Sequence, residues 1–231
     1  MRLVLFDVDG TLVDSQNIIV AAQRAAFAAH GIAPPSRERS LSIVGLSLVQ
    51  AFTVLVGPDG PVESLAEAYR QAFAALRADP AHAEPVFPGA DSCLRRLAAR
   101  DDVLLGIATG KSQRGVRHIL AREGWTGLFA TIQTADDAPS KPDPAMVLQA
   151  MAELGVGPAD TAIVGDSSFD MEMGRAAGIW PIGVAWGFQP VAVLRETGAA
   201  QIVDSFPALD AALDRFLEPS PSWCGVPISP A

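Results

Sequence analysis

A short apolar run, Leu3–Val8, opens the chain and breaks into a polar turn at Asp9-Gly10-Thr11. Similar runs recur at Val103–Ala108, Thr131–Gln133, Ala162–Gly165, Pro181–Val184 and Ile202–Val203. Short, nearly continuous apolar runs bounded by turn residues read as strands buried on both faces. Between most of them apolar residues return at helical spacing: Asp91–Ala99, Ser112–Arg122, Pro144–Leu154, Ser168–Ala177 and Ala208–Leu217. Strand alternating with helix predicts an α/β fold with a parallel sheet and helices on both faces. In such sheets ligands bind at the carboxyl ends of the strands.

Residues 15–84 break that rhythm. They are Ala-rich and predict helices at Ile18–Ala29, Arg37–Val44, Leu48–Val56 and Ser64–Ala78, punctuated by Gly31, Pro34-Pro35, Gly57-Pro58 and Gly60-Pro61. The expected layout is a sheet domain over 1–14 and 85–217, a helical insert over 15–84 and a Pro-rich tail over 218–231. Trp223 of that tail could dock on the body. Two connections to the sheet domain would form a hinge, so the insert is expected to act as a lid.

Composition narrows the function. The 231 residues are 49% apolar, ample for a core, and carry a formal charge of −9. That balance argues against nucleic acid or an anionic membrane as partner. An anionic small substrate would need local help from a metal ion, helix N-termini or a few placed cations. The first apolar run is too short for a secretory signal or a membrane span. Cys93 and Cys224 form no CxxC pattern and read as free thiols in a reducing, cytoplasmic compartment.

Four segments carry polar chemistry at strand ends or helix starts. In the first, Asp7 and Asp9 follow a buried strand and share one side of an extended chain. A turn explains Asp9-Gly10 but not Asp7, because an unpaired buried charge is costly and adjacent carboxylates repel. The second, Thr109-Gly110-Lys111-Ser112, presents a hydroxyl and a helix start to an anion. Its bland reading is a strand residue followed by a Ser112 cap. The spacing of Gly106 and Gly110 is one residue short of a nucleotide phosphate loop. In the third, Ser140-Lys-Pro-Asp-Pro144, Asp143 is expected as N-cap and Pro144 as first helical residue. Lys141 then stands just ahead of a helix, where a cation is unfavourable unless an anion meets it. The fourth, Gly165-Asp166-Ser-Ser-Phe-Asp170, again ends a buried strand in an acid. Asp170 alone is ordinary helix capping.

Together these segments place Asp7, Asp9, Thr109, Lys141 and Asp166 at one sheet edge. A carboxylate set of this kind suits Mg²⁺. His30, His82 and His118 fall in none of the four. A Ser-His-Asp hydrolase or zinc site therefore has little support, and His30 and His118 are expected to face solvent.

These motifs, in this order, resemble the haloacid dehalogenase superfamily of hydrolases. The resemblance implies a Rossmann-like three-layer core with a helical-bundle cap. It implies that Asp7 is a nucleophile forming an aspartyl-phosphate, and that Asp9 is the acid for the leaving group and then the base for water. Asp9 should therefore carry a proton. Gly10, Thr109, Gly110 and Lys141 would hold the phosphoryl group. Asp7, Asp166 and the main-chain carbonyl of Asp9 would hold Mg²⁺, with Asp170 supporting Lys141 or a metal-bound water.

Members that cleave carbon–halogen bonds or phosphonates lack the second aspartate, so Asp9 points to phosphate esters. The chain looks most like the phosphoglycolate phosphatase-like branch, through Asp9-Gly-Thr-Leu-Val-Asp-Ser15, Val44-Gly-Leu-Ser-Leu48 and Gly110-Lys-Ser112 with Arg114. The expected activity is Mg²⁺-dependent hydrolysis of a small phosphorylated metabolite. A phosphomutase of the β-phosphoglucomutase type would share every core residue. A non-catalytic module on the same fold is disfavoured by the complete carboxylate set. Arg37, Arg39, Lys111 or Arg114 would meet a second anionic group of the substrate; the bland reading of each is solvated surface.

Overall fold

The computed structural model describes residues 1–218. The tail beyond Glu218, with Trp223 and Cys224, lies outside the described residues.

Six strands form one parallel sheet: β1 (Arg2–Phe6), β2 (Val103–Thr109), β3 (Thr131–Thr134), β4 (Thr161–Gly165), β5 (Trp180–Val184) and β6 (Gln201–Val203), in the order β3-β2-β1-β4-β5-β6. Period-two alternation in β1 divides the core. Val4 and Phe6 pack toward α5 (Ala90–Ala98), α6 (Gln113–Arg122) and α10 (Phe206–Leu217). Leu3 and Leu5 pack toward α7 (Ala145–Leu154) and α8 (Ser168–Ala176). All four are fully buried, which is why the strand reads as a continuous apolar run. The strand order reverses at β1 and β4, and their carboxyl ends meet at the switch point where such sheets bind ligands. This is the Rossmann-like α/β architecture.

Four helices interrupt the sheet domain between β1 and α5: α1 (Gln16–Ala29), α2 (Arg37–Leu41), α3 (Leu48–Val56) and α4 (Val62–Leu76). They have their own apolar centre at Ala26, Phe27, Phe52, Leu65 and Ala66. The two connections run side by side: Asp14 N donates to Pro85 O (2.8 Å) and Phe87 N to Leu12 O (3.0 Å). His30 caps α1 and bridges Ala26 O and Ser64 Oγ, so it is half-buried rather than facing solvent; His118 is exposed on α6.

Three local expectations shift. The helix expected over Arg37–Val44 ends at Leu41, because the chain turns and Val44 bridges Leu46. Asp143 sits one residue earlier than expected: Pro144 occupies the N-cap, and Asp143 Oδ1 accepts from Ala145 N (2.9 Å). A short helix, α9 (Val191–Glu196), was not anticipated, since Leu194 is its sole buried residue and leaves no period to detect.

Candidate active site

The strand β1 stops at Phe6, and Val8 O then accepts the amides of Leu12 (2.9 Å) and Val13 (3.0 Å). This curl separates two acids that an extended chain would have kept together. Asp7 stays at the strand end, while Asp9 turns toward the helical insert. Gly10 makes the curl possible: its φ is +84°, and a Cβ there would lie 2.2 Å from Asp166 Oδ2.

Around Asp7 the polar groups are buried and dense. Lys141 Nζ lies 3.2 Å from Asp7 Oδ1 and donates to Asp170 Oδ1. Asp170 is fixed in turn by a capping box, its Oδ2 accepting from Ser167 N (3.1 Å) and Ser167 Oγ (2.6 Å). Thus Asp170 both caps α8 and orients Lys141. Asp166, at the end of β4, accepts from Phe188 N (2.7 Å) and Thr11 Oγ1 (3.3 Å). Thr109 ends β2, and its side chain acts on Asp7, favouring the ionised form.

Burial pushes the Asp7 carboxyl up to about 6; Lys141 opposes the shift and Asp170 adds to it. Burial, with Asp7 and Asp170 nearby, also holds Asp166 well above the usual carboxylate range. For Lys141, burial alone would lower the value, but Asp170 and Asp7 outweigh it and the ammonium is favoured. Three buried acids thus face one lysine. Ligand oxygens of Asp7, Asp166 and Asp170 lie within 4.8 Å of one another, and Asp7 Oδ2 is buried without a hydrogen-bond partner. An orphaned carboxylate oxygen in an acidic cluster fits a hard divalent cation.

Asp9 has a different set of neighbours. Lys111 Nζ meets Asp9 Oδ1 (2.9 Å) and Oδ2 (3.1 Å), lies 3.4 Å from Glu84 Oε1 and stands over the Phe73 ring at 5.1 Å. The expected proton on Asp9 therefore meets an ion pair. Glu84 is buried in the return connection from the insert, with Arg77 Nε at 3.3 Å. Among the contacts that seat the insert on the core, Ser47 N donates to Ser140 Oγ (2.7 Å), Gln189 Nε2 donates to Ser42 O (3.2 Å), and Gly110 lies under the Gly45 and Leu46 carbonyls, where a Cβ would approach to 2.5 Å. Gly110 is thus needed for close packing of the insert as well as standing beside Thr109.

A cavity of about 400 Å³ opens above Asp7, Asp9, Thr109 and Gly110. Lys111 and Arg114 line it, whereas Arg37 and Arg39 do not. Arg37 instead donates to Gln16 Oε1 (2.6 Å) and Asn17 Oδ1, and Arg39 to Val54 O (3.0 Å), both on exposed faces of the insert. Sequence reasoning missed Glu84, Tyr69, Arg70, Phe73 and Arg77. The one available signal was the apolar stripe Leu65–Tyr69–Phe73 on α4.

Carboxylates gathered at the switch point of a parallel sheet, beneath a helical insert, define an α/β fold of the enzyme type, with a buried acidic cluster compatible with a cation. A family model described as haloacid dehalogenase-like hydrolase matches residues 4–184, and the chain belongs to that family. It is 34% identical over 223 residues to "Probable phosphatase IndB" of Dickeya dadantii, covering 95% of this chain and 96% of that protein. It is 31% identical to "Phosphoglycolate phosphatase 1" of Pseudomonas aeruginosa, covering 94% of this chain and 81% of that one. The solved structure of a hydrolase from Pseudomonas syringae superposes with a TM-score of 0.82 at 27% identity, over 93% of this chain and 99% of that chain. No helix among the described residues is long and apolar enough to cross a membrane.

Proposed function

We propose that this family member is a Mg²⁺-dependent phosphoric monoester hydrolase acting on a small phosphorylated metabolite through an aspartyl-phosphate on Asp7. The observation that carries the reading is the buried set Asp7, Lys141, Asp166 and Asp170, with Asp7 Oδ2 unpartnered beside a single lysine. Relatives named phosphatases, at about one-third identity over nearly the whole chain, support it.

In this reading a carboxylate oxygen of Asp7 bonds to phosphorus as the bond to the leaving alcohol breaks. Asp9 gives its proton to the departing oxygen. Asp9 then takes a proton from water, which attacks phosphorus and returns the Asp7 carboxylate. Lys141 and Thr109 hold the phosphoryl oxygens, and Asp170 keeps Lys141 in place. Asp7, Asp166 and the Asp9 carbonyl would hold Mg²⁺, which neutralises phosphoryl charge and lets an anion approach an acidic site. Lys111 holds the Asp9 carboxylate in the free site; an incoming phosphate competes for that ammonium, and the released Asp9 takes up from solvent the proton that it gives to the leaving oxygen.

The test is phosphate release across phosphoglycolate, sugar phosphates, nucleotides and pyrophosphate, with and without Mg²⁺. Asp7→Asn should lower release by about 10⁴-fold or more. Full activity in Asp7→Asn, or activity surviving complete chelation, removes the reading. An isomerised sugar phosphate without free phosphate would instead identify a mutase.

A further inference from the structure

The cavity exceeds what a phosphoryl group and a two-carbon acid require. At about 400 Å³ it falls in the range of small-molecule sites, roughly 300 to 1,000 Å³. Its floor is the catalytic edge, and its far wall comes from the insert, where Phe52, Leu55, Tyr69 and Phe73 line it. Leu55, Tyr69 and Phe73 are half-buried on this wall, and Phe52, 1% exposed, backs Tyr69 from the insert's own centre. The Phe52 and Tyr69 centroids are 5.9 Å apart at 70°, and those of Tyr69 and Phe73 are 5.6 Å apart at 43°.

Charge on this wall is already matched. Arg70 pairs with Glu67 (3.0 Å), and Arg77 pairs with Glu84 (3.3 Å) while its guanidinium lies 5.0 Å over Phe73. The cation nearest the chemistry, Lys111, sits between Asp9 and Glu84. The lining cation without an ion pair among the described residues is Arg114, exposed near the start of α6 rather than on this wall. The Tyr69 hydroxyl, by contrast, makes no hydrogen bond among the described residues. Burial, with Asp9 and Glu84 nearby, keeps it protonated and therefore able to donate. An apolar wall with one free polar group is the pattern of a site that binds an apolar body and orients it at one point.

We infer that the substrate is a phosphomonoester of a ring-bearing alcohol, its apolar face set against Leu55, Tyr69 and Phe73 and a polar substituent accepting from the Tyr69 hydroxyl. The inference rests on the phosphatase reading and narrows its substrate class away from phosphoglycolate. Aromatic walls favour ring faces, through edge and offset contacts and through burial of apolar area.

Benzyl phosphate and ethyl phosphate test it, since both release a primary alcohol and differ by the ring. With Mg²⁺, kcat/KM for benzyl phosphate should exceed that for ethyl phosphate by at least about ten-fold, and phosphoglycolate should fall below benzyl phosphate. Ala74→Trp, at the edge of the wall, should bring the benzyl-to-ethyl ratio close to one. Equal rates for the two esters in the parent protein, or a preference for phosphoglycolate, overturn the inference and leave the phosphatase reading standing. Absence of Asp7-dependent phosphate release from every ester removes the reading and the inference together.

Discussion

Asp7 and Asp9 stand two positions apart in the chain, yet each belongs to a different electrostatic region. Asp7 lies with Lys141, Asp166 and Asp170, all at most 2% exposed, and every partner comes from the sheet domain. Three acids there share one lysine, so the region lacks positive charge until a cation arrives. Asp9 lies with Lys111 and Glu84, and its partners span the loop after β2, the return connection and, through Arg77, the end of α4. Here the charges already match, and the contacts cross between the two parts of the molecule. Under the proposed function the difference divides the work: the first region would hold the reacting phosphoryl group, and the second would answer to what enters from above.

The sharpest way to break the first region is to remove its one cation. Lys141→Met leaves buried carboxylates facing one another, and stability should fall by about 3–5 kcal/mol. Phosphate release should fall by at least about 10³-fold. Denaturant unfolding and a phosphate assay, run with and without Mg²⁺, measure both. A loss below about 1 kcal/mol would mean that the acids relax onto other partners and that the region is not starved of positive charge.

A gentler perturbation is pH. The folded Asp7 value of about 6 lies above the ordinary carboxylate value of 3.8, so between the two the folded chain binds more protons than the unfolded one. Stability of the metal-free protein should therefore fall as pH rises from about 4 to about 6, with Asp166 contributing in the same direction. A divalent cation needs the ionised carboxylates, so the rise in Tm produced by Mg²⁺ should be larger at pH 8 than at pH 5. A thermal shift of equal size at both values would remove the metal from this region.

The two regions were not equally legible in the sequence. Asp7, Lys141 and Asp166 announce themselves because a charge directly at the end of a buried run, or held just ahead of a helix start, has no cheap local explanation. Parallel strands then bring their carboxyl ends together without any further information. The second region has no such signature. Glu84 sits in a connection that reads as loop, and its burial depends on the insert folding back onto the core. Lys111 and Arg114 group with Arg37 and Arg39 in the sequence because all four are basic residues near a loop or helix start, yet only the first two line the cavity. Their separation arises from packing: Gly110 admits the Gly45–Leu46 backbone and holds Lys111 beneath the insert, while α2 turns Arg37 and Arg39 outward. On α4, helical spacing marked an apolar stripe but carried no sign of whether it faced the insert's centre or the cavity.

Lys111, Arg37 and Arg39 offer the finest test of the comparison. Lys111→Ala removes a buried ammonium from Asp9 and Glu84, and kcat/KM for the best substrate should fall by about ten- to one hundred-fold, with a charged-group hydrogen bond worth roughly 1.5–3 kcal/mol. Arg37→Ala and Arg39→Ala remove exposed contacts outside the cavity, and KM should stay within about two-fold of the parent, since exposed contacts of this kind contribute little. If Arg37→Ala or Arg39→Ala raised KM as much as Lys111→Ala, substrate would have to reach the outer face of the insert. The boundary between the two regions would then run through α2 rather than through Asp9.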